Sequence, residues 1–485
     1  MKPQKKVTEK SIFESAVLVE GLRYTESKEF SKYAKQAFDI YEKCHGKQPD
    51  KMFMSTMGHQ LKQFADIQEA MEESTSIAGG QIPLLRDYGF ELITALFPGL
   101  IANDLFNVQP AKFKNYSIFY QNYVHDTAKG QTAAASRMIG SLQADAIDTN
   151  YTRDAEVNRL LGTGNGSTAN YTIAASILFR PLIANTVVIT AVGISGNTRT
   201  IVDNGTTGAL IGDIGSGTNT ISYTTGQIDV TFVENIQNLS PVYLTYGYVG
   251  EGSTTNAMEM DMTISEIQGV AADHRLRFNF SIEGQFAYRQ QFGRSMDADL
   301  LAYGVSDMKA EIDGDLILAG YASAASSSSA GSISWNRTPD AGVQYFYWRE
   351  QFIDALHNAG NLIIKAAGFG EGNKVVGGLL FKQVIETIGP RVKLDNVGAT
   401  VKGARKIGTV DGVIDCYYSP LMADNAFFVT YKGGPLQPGL SYNPYMPLYT
   451  SEPHMLDDGK LHRYLITSYG KLVVNSKLFV AGTLI

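Results

Sequence analysis

The chain has 485 residues, of which 44% are hydrophobic and 18% are charged, and its formal net charge is −7. This composition is typical of a folded globular protein, and the length allows several domains or one elaborate subunit. The acidic balance argues against a broad phosphate-binding surface, although a protein that only encloses nucleic acid is compatible with it. The 26 Tyr against 2 Trp, on a charge-poor chain, favour extensive protein–protein contacts.

Neither a disulfide framework nor a membrane segment is predicted. Cys44 and Cys416 are the two cysteines, and they show no metal-ligand spacing. Residues 1–11 are charged and lack an apolar core, so we expect no secretory signal. The most apolar run, residues 90–106, is interrupted by polar residues and is too short to span a bilayer. We therefore expect a soluble protein that is intracellular when it is synthesised.

Residues 1–78 predict a polar, helical arm. Apolar residues recur at helical intervals among Lys and Glu, Pro49 interrupts the pattern, and a further helix is predicted over residues 52–74. Such helices bury little apolar surface by themselves, so we expect them to lie on another surface. Residues 82–110 form a compact apolar segment, and the polar residues 111–157 predict an extended excursion from the body.

Residues 160–250 predict a small all-β domain. They are rich in Gly, Thr, Asn and Ser, and seven short predicted strands alternate with turn signals, including a hairpin turn at Gly226. This pattern fits a β-sandwich or barrel. The Gly-rich flanks at residues 162–166 and 250–255 indicate that the domain is inserted in a loop.

The strongest helix signal covers residues 296–320. Ser295 is suited to cap its start and Gly320 its end. Its apolar residues form one stripe at steps of three or four: Leu301, Val305, Met308, Ile312, Leu316 and Ala319. Before it, residues 258–264 and 276–282 alternate apolar and polar side chains, which predicts two long antiparallel strands paired with each other. After it, the Ser/Ala-rich residues 322–334 predict a mobile loop.

A second stripe on this helix is acidic. Asp307, Glu311 and Asp315 lie four residues apart, so three like charges share one face, at a cost of a few tenths of a kcal/mol per pair. Either water solvates this face, or basic residues of a neighbouring subunit contact it. The sequence leaves both interpretations open.

From Tyr345 onward, helices and strands alternate. Helices are predicted over residues 348–367 and 381–388, and strands at 373–380, 412–418, 426–431, 463–474 and 477–485. The glycine-rich residues 368–372 follow a helix, which indicates a helix-ending turn and not a nucleotide site. The seven histidines are scattered, and neither a nucleophile elbow nor a phosphate loop is present. We expect no catalytic, cofactor or metal site.

Two stretches carry a family resemblance. FFVTYKGG at residues 427–434 and PGLSYNPYMPL at residues 438–448 resemble the Tyr-Lys-Gly and Tyr/Pro-rich region of the major capsid protein of T-even-like tailed bacteriophages. Further similar segments occur in the same order as in the family, at residues 101–110, 296–299, 311–312, 347–352 and 370–373. The resemblance therefore covers about half of the chain.

The resemblance implies an α+β, Hong Kong 97-type capsid fold. The arm would be residues 1–78, and an extended E-loop, residues 112–256, would carry the inserted domain. The peripheral domain would combine residues 79–111 and 257–344, with its spine helix at 296–320. Residues 345–458 would form the axial domain, and residues 459–485 would return toward the peripheral domain.

The resemblance also implies a function without catalysis or cofactors. The chain would be a virion subunit, assembled in the host bacterial cytoplasm into hexamers and pentamers of an icosahedral head around double-stranded DNA. Portal, scaffold and decoration proteins are the implied partners, and the arm and E-loop would cross neighbouring subunits. The candidate contacts between subunits are Asp307, Glu311, Asp315, Tyr431, Lys432, Tyr442 and Tyr445.

Three alternatives stay open at this point. One is the shell of an encapsulin-type nanocompartment, which would share the fold. Another is a phage structural or decoration protein that binds a glycan or a partner through residues 160–250. The third is an enzyme, for which the sequence offers neither a nucleophile nor a base.

Overall fold

The computed structural model of the chain describes residues 15–74, 90–138, 148–173, 179–251, 256–389, 391–395, 403–434, 437–451, 453–455 and 459–485. The chain divides into two compact units, one of Met1–Tyr120 with Ser265–Ile485 and one of Gln121–Ile264. Helices and strands are both abundant, which confirms the α+β class. The predicted arm boundary, at residues 78 and 79, lies outside the described residues.

The helices are α1 (Ser15–Glu26), α2 (Ser31–His45), α3 (Lys51–Ser74), α4 (Ala102–Leu105), α5 (Ile282–Phe292), α6 (Met296–Ala324), α7 (Tyr345–Ala367) and α8 (Leu379–Thr387). Residues 90–96 are also helical, and short 3-10 turns cover Phe97–Gly99 and Ser476–Leu478.

The strands are β1 (Asn107–Val108), β2 (Asn115–His125), β3 (Ala155–Thr163), β4 (Asn170–Ile173), β5 (Val188–Val192), β6 (Thr198–Asp203), β7 (Leu210–Gly212), β8 (Thr220–Ile221), β9 (Ile228–Thr231), β10 (Pro241–Gly247), β11 (Met260–Val270), β12 (Ala272–Ser281), β13 (Gly331–Trp335), β14 (Lys374–Gly377), β15 (Val392–Leu394), β16 (Arg405–Val410), β17 (Ile414–Tyr418), β18 (Ala426–Thr430), β19 (Leu440–Thr450), β20 (His454–Met455), β21 (Lys460–Val473) and β22 (Phe479–Leu484).

Two sheets organise the first unit. One has the strand order β1–β19–β21–β12, with β20 paired to β21, and the other has the order β13–β22–β18–β14–β17–β16–β15. Helices α6 and α7 pack on β18 and β22 of the seven-stranded sheet, and α3 packs on β19. Of the last two strands, β21 therefore belongs to the first sheet and β22 to the second.

The N-terminal helices pack on their own subunit. Tyr33 and Tyr41 of α2 and Phe53 and Phe64 of α3 are buried in one core with residues of α6, α7 and the seven-stranded sheet. The expectation that these helices lie on another surface is confirmed, and that surface belongs to the same chain. Helices α2 and α3 are therefore part of the subunit core.

Helix α6 begins at Met296, as predicted, and its apolar stripe faces the core. Leu301, Met308, Ile312 and Leu316 are buried. Ser295 occupies the N-cap position, but its side chain makes no capping hydrogen bond. The start of the helix is therefore stabilised by the buried stripe and by Asp297 and Asp299 of its first turn, whose negative charge interacts favourably with the helix dipole.

The predicted end of this helix at Gly320 is wrong, because α6 continues to Ala324. Gly320 lies inside the helix where two aromatic rings approach closely, and a Cβ there would lie 3.0 Å from Phe106 and 3.2 Å from Phe428. The predicted mobile loop over residues 322–334 is also wrong. β13 pairs in parallel with β22, with Gly331 opposite Val480.

The two long strands before α6 form, but their predicted mutual pairing is wrong. β12 pairs antiparallel with β21, with Ala272 opposite Tyr469, and β11 pairs with β2. Ala271 alone separates β11 from β12. A hairpin needs at least two residues in its turn, so one residue cannot fold these strands onto each other.

The predicted C-terminal helices and strands are present, with bounds that differ by a few residues. Gly368 ends α7 in the left-handed conformation, as predicted. The sequence did not predict β15, β16 or β19. Strand β19 was not predicted because it contains Pro444 and Pro447, and proline opposes regular strand pairing. The register of β19 against β21 shifts beside Pro444.

The second unit is a two-sheet β structure with its own core. Its sheets have the orders β3–β10–β5–β6–β7 and β4–β9–β8, and the turn at Gly226 joins β8 to β9 as predicted. All seven predicted strands are found. The sequence did not predict β3, whose charged residues Glu156 and Arg159 form an ion pair at 2.9 Å.

A cluster of buried charges joins α4 to the seven-stranded sheet. The carboxylate of Asp104, which is fully buried, accepts hydrogen bonds from the Lys374 ammonium at 3.1 Å and from the Tyr417 hydroxyl. Lys47, just after α2, also donates to Asp104, and Lys374 in turn pairs with Asp415. One carboxylate therefore ties together segments that are far apart in the sequence.

These groups hold each other in their charged forms. Burial opposes ionisation of Asp104, but Lys374 and Lys47 outweigh that cost and hold the pKa of its carboxyl well below its usual range. Burial likewise opposes the charge on Lys374, and Asp104 and Asp415 together raise its pKa. Asp104 and Lys374 are therefore both ionised at neutral pH.

Replacing Asp104 by Asn should destabilise the subunit by about 3–5 kcal/mol, because Lys374 would stay buried with one counter-charge fewer. Urea unfolding of the unassembled protein at pH 7 measures this loss. Asp66→Asn is the control, since it breaks an exposed pair with Lys62 on α3 and should cost less than about 1 kcal/mol. Equal unfolding free energies for the two variants would contradict the structural role of the cluster.

A second buried carboxylate connects α6 to α4. Asp313 points into the core, and its Oδ1 accepts a hydrogen bond of 2.9 Å from the backbone N–H of Ala102. Burial raises the pKa of Asp313 to about 6, and the hydrogen bond from Ala102 and the charge of Lys309 oppose only part of that effect. The folded state therefore favours the protonated form of Asp313 more than the unfolded chain does.

Because the pKa of Asp313 is higher in the folded than in the unfolded chain, this residue should lower stability as pH rises from about 4 to 6. Asp313→Asn removes that dependence, so the variant should gain up to about 3 kcal/mol relative to wild type across this range. Urea unfolding at half-unit pH steps measures the difference. Other groups, including the buried His45, titrate equally in both proteins, so their contributions cancel in the difference between the two unfolding free energies. Parallel stability curves would refute the assignment.

Candidate assembly surface

Of the three carboxylates in the acidic stripe of α6, two are exposed and one is paired within the subunit. Asp315 pairs with Lys471 and accepts a hydrogen bond of 3.1 Å from the Tyr469 hydroxyl, so its charge is used within the subunit. Glu311 is exposed, and its one ionic contact among the described residues is with Nδ1 of His274, at 3.4 Å. Asp307 is exposed and makes no ion pair with any residue that the structure describes. The outward-facing charge therefore lies at Asp307 and Glu311.

These two carboxylates line a groove of about 360 Å³. Small residues form much of its wall, and the exposed Leu421 adds an apolar side. The lining residues come from α6 and from two loops of the seven-stranded sheet: Asp307, Ala310, Glu311, Gly314, Gly403, Ala404, Ser419, Pro420 and Leu421. We call this surface the acidic groove.

Glycines keep the acidic groove open. A Cβ on Gly314 would lie 2.2 Å from Cδ1 of Leu421, and a Cβ on Gly403 would lie 3.1 Å from Cβ of Ala310. Gly403 also has a φ of +90°, a conformation that side chains with a Cβ rarely adopt. An acidic rim over a small-residue floor can accept a basic or an apolar side chain.

The candidates of the Tyr-rich segment lie mostly inside the subunit. Tyr442 is 3% exposed, and burial raises the pKa of its hydroxyl. Lys432 donates a hydrogen bond of 2.7 Å to the carbonyl of Asn103, and burial lowers its pKa. Tyr431 packs against the core beside Phe369. Tyr442 is therefore part of the subunit core, and contacts of Tyr431 and Lys432 with a neighbouring subunit stay a prediction.

Tyr445 remains a candidate. It is half-buried and lies where the register of β19 shifts against β21, between Pro444 and Met446. The two loops that complete the acidic groove were not singled out in the sequence. Residues 403–404 and 419–421 carry no motif, and they reach α6 only through the fold of the sheet.

The described residues contain neither a metal-binding cluster nor a membrane-spanning helix. Among the described residues, no group of His, Cys, Asp and Glu side chains is arranged to hold a metal ion. No helix in the described part of the chain combines the length and the apolar character needed to cross a bilayer.

Solved structures from phages and an encapsulin are similar to parts of the chain. The structure from Mycobacterium phage Che8 has 14% identity and a TM-score of 0.32, covering 48% of this chain and 77% of that one. The capsid of Myoviridae phage XM1 has 9% identity and a TM-score of 0.34, with coverages of 49% and 82%. The holo-SrpI encapsulin complex from Synechococcus elongatus has 9% identity and a TM-score of 0.33, with coverages of 46% and 77%.

The sequence of the chain matches the model of a known protein family. No curated protein matches the chain. The family model described as Major capsid protein Gp23 matches residues 84–483, which is most of the chain. The chain therefore belongs to the Gp23 family of phage major capsid proteins and is a structural, non-enzymatic subunit, many copies of which form the shell of the phage head.

Proposed function

We propose that the acidic groove is a contact surface between neighbouring subunits of the shell. The observation that carries this function is the exposure of Asp307 and Glu311 on an otherwise well-packed helix whose third acidic residue, Asp315, is paired internally. Like charges on one helix face are unfavourable unless an opposite charge approaches them. In a shell built from many copies, a basic segment of the next subunit supplies that charge.

At the level of the particle, the subunits form hexamers and pentamers of an icosahedral head in the host bacterial cytoplasm. Each subunit makes several weak contacts, and their linkage makes the closed shell stable. The net charge of −7 suits a shell that encloses double-stranded DNA without gripping it. Portal, scaffold and decoration proteins are the expected partners of such a shell.

The regions take the roles implied by the capsid fold. Residues 112–256 form an E-loop that carries the all-β domain, and residues 345–458 form the axial domain. Residues 79–111 and 257–344 form the peripheral domain with its spine helix. The N-terminal helices act as an arm that is anchored on its own subunit, which the burial of Tyr33 and Tyr41 supports.

Reversing the charges of the groove should block assembly and leave the subunit folded. In the Asp307→Lys/Glu311→Lys variant, shell yield should fall by about tenfold or more, because a like charge at a contact costs several kcal/mol. Electron microscopy and sedimentation of the purified protein measure yield and size. Circular dichroism and the urea midpoint of the unassembled subunit should stay unchanged, since both residues are exposed.

The control variant is Asp39→Lys/Glu42→Lys, which makes the same change in net charge at exposed positions of α2. It should assemble like wild type. Normal shells from the Asp307→Lys/Glu311→Lys variant would show that water, and not a neighbour, faces the stripe.

The all-β domain has a second function, binding a partner or a glycan at the particle surface. Its core is built from its own strands, which supports independence from the shell contacts. Ala155 and Gly247 are directly paired at the end of β3 and β10, so a two-residue Asn-Gly turn can join them.

Removing residues 156–246 and closing the chain with that turn should give shells of normal size and yield. Negative-stain microscopy and light scattering measure both quantities. An intact subunit that no longer forms closed shells would instead place this domain in the shell contacts.

A further inference from the structure

Helix α5 presents an apolar stripe that the described part of the subunit leaves exposed. Ile282, Phe286, Arg289 and Phe292 follow one another at steps of four, three and three residues, so they share one face. Ile282 is 52% exposed, Phe286 67% and Phe292 62%, and the helix has no buried residue. Large apolar side chains grouped in this way mark a surface that another molecule covers.

The helix is well formed at both ends even though it is exposed. Ser281 caps its start by accepting a hydrogen bond of 3.0 Å from the Gly284 N–H, and Gly293 ends it in the left-handed conformation. A helix of 11 residues is nevertheless marginal in water, because helices in proteins gain most of their stability from packing an apolar face. Capping interactions define the two ends of the helix, but no described residue of the subunit covers its apolar face.

Two arginines accompany this stripe toward its C-terminal end, while the acidic Glu283 lies in the first turn of the helix. Arg289 lies within it, Arg294 follows the end of the helix, and both are exposed. Neither arginine forms an ion pair with a residue in the described part of the chain. An occupant of this face therefore needs acidic groups next to an apolar surface.

The acidic groove has that chemistry. It offers the carboxylates of Asp307 and Glu311, a floor of small residues and the exposed side chain of Leu421. No residue of α5 is among the lining residues of the groove, and Phe286 and Phe292 are exposed in the same subunit, so α5 does not cover the groove of its own subunit. The two surfaces are different patches of one subunit, and contacts of this kind join copies head to tail, closing into a ring when the rotation from one copy to the next closes.

We propose that α5 of one subunit docks in the acidic groove of a second copy, with Phe286 and Phe292 against Leu421 and with Arg289 and Arg294 facing Asp307 and Glu311. This docking rests on the assembly role proposed above for the groove, and it names the element of the neighbour that fills it. The apolar contact would provide most of the buried surface, and the charges would fix which patch meets which.

Charge exchange tests the pairing. The Arg289→Glu/Arg294→Glu variant and the Asp307→Lys/Glu311→Lys variant should each lower shell yield by about tenfold or more. A variant with all four changes should return to within about twofold of wild type, because opposite charges face each other again. A one-to-one mixture of the two defective variants should also assemble into hexameric rings, in which the variants alternate so that each acidic helix meets a basic groove and each basic helix an acidic groove. Lys365→Glu/Lys393→Glu, at exposed positions of the same unit, is the control and should assemble normally.

The outcomes separate the two hypotheses. If the groove variant fails and neither the fourfold variant nor the mixture assembles, the groove is a contact but α5 is not its occupant. If the groove variant assembles normally, the proposed contact role of the groove itself is refuted.

A covalent test measures the same contact directly. In a Cys44→Ser background, which removes the exposed native cysteine, Phe286→Cys with Leu421→Cys should form disulfides between subunits when assembled shells are mildly oxidised. A ladder of dimers and larger multimers on a non-reducing gel is the expected result. Phe286→Cys with Val413→Cys, at an exposed turn, is the matched control and should stay monomeric. Shells without the ladder in the test pair would overturn the docking.

Discussion

Asp104 is the charge on which the architecture of the first unit depends. It lies on the four-residue helix α4, and its carboxylate holds Lys47 of the N-terminal region together with Lys374 and Tyr417 of the seven-stranded sheet. Buried ion pairs contribute little net stability compared with an apolar core, but an unpaired buried charge is very costly. Any arrangement that separates these segments leaves such a charge, so the cluster selects one arrangement.

The same short helix also positions α6. The backbone N–H of Ala102, at its start, donates to Asp313 of α6, while Asp104 two residues later is held by the sheet. Rotation of α6 would move Asp313 away from that donor and expose the apolar stripe around Ile312 and Leu316. The acidic face of α6 is therefore turned outward because the inward face is fixed twice, by packing and by a buried hydrogen bond.

Hydrophobic periodicity predicted the elements whose pattern is local. The buried stripe of α6, helix α7 and the seven short strands of the second unit were found because each repeats a single spacing. Features set by distant residues were not predictable. Gly320 reads as a helix end, but it is the place where Phe106 and Phe428 pack against the helix. Strand β19 could not be predicted because its prolines are unusual in a strand, and they are accommodated by shifts in its register against β21.

The candidate surface was predictable to the same extent. The spacing of Asp307 and Glu311 revealed an acidic face, but the loops that turn this face into a groove lie about a hundred residues later in the chain and carry no motif. The spacing could not show that Asp315 is neutralised by Lys471, nor that Tyr442 lies in the core. Asp104 is a single acidic residue in an apolar segment, whereas Asp313 stands between Glu311 and Asp315, and no local pattern distinguishes these buried carboxylates from exposed ones.

Inside and outside, this subunit uses charge in opposite ways. Within the core, every charge of the Asp104 cluster has a partner, which makes the subunit one specific structure. On the surface, Asp307, Arg289 and Arg294 have no ionic partner among the described residues, and exposed pairs between subunits are individually weak and reversible. A shell assembled through many such contacts can release a misplaced subunit before closure, whereas the buried cluster keeps each subunit folded while that exchange continues.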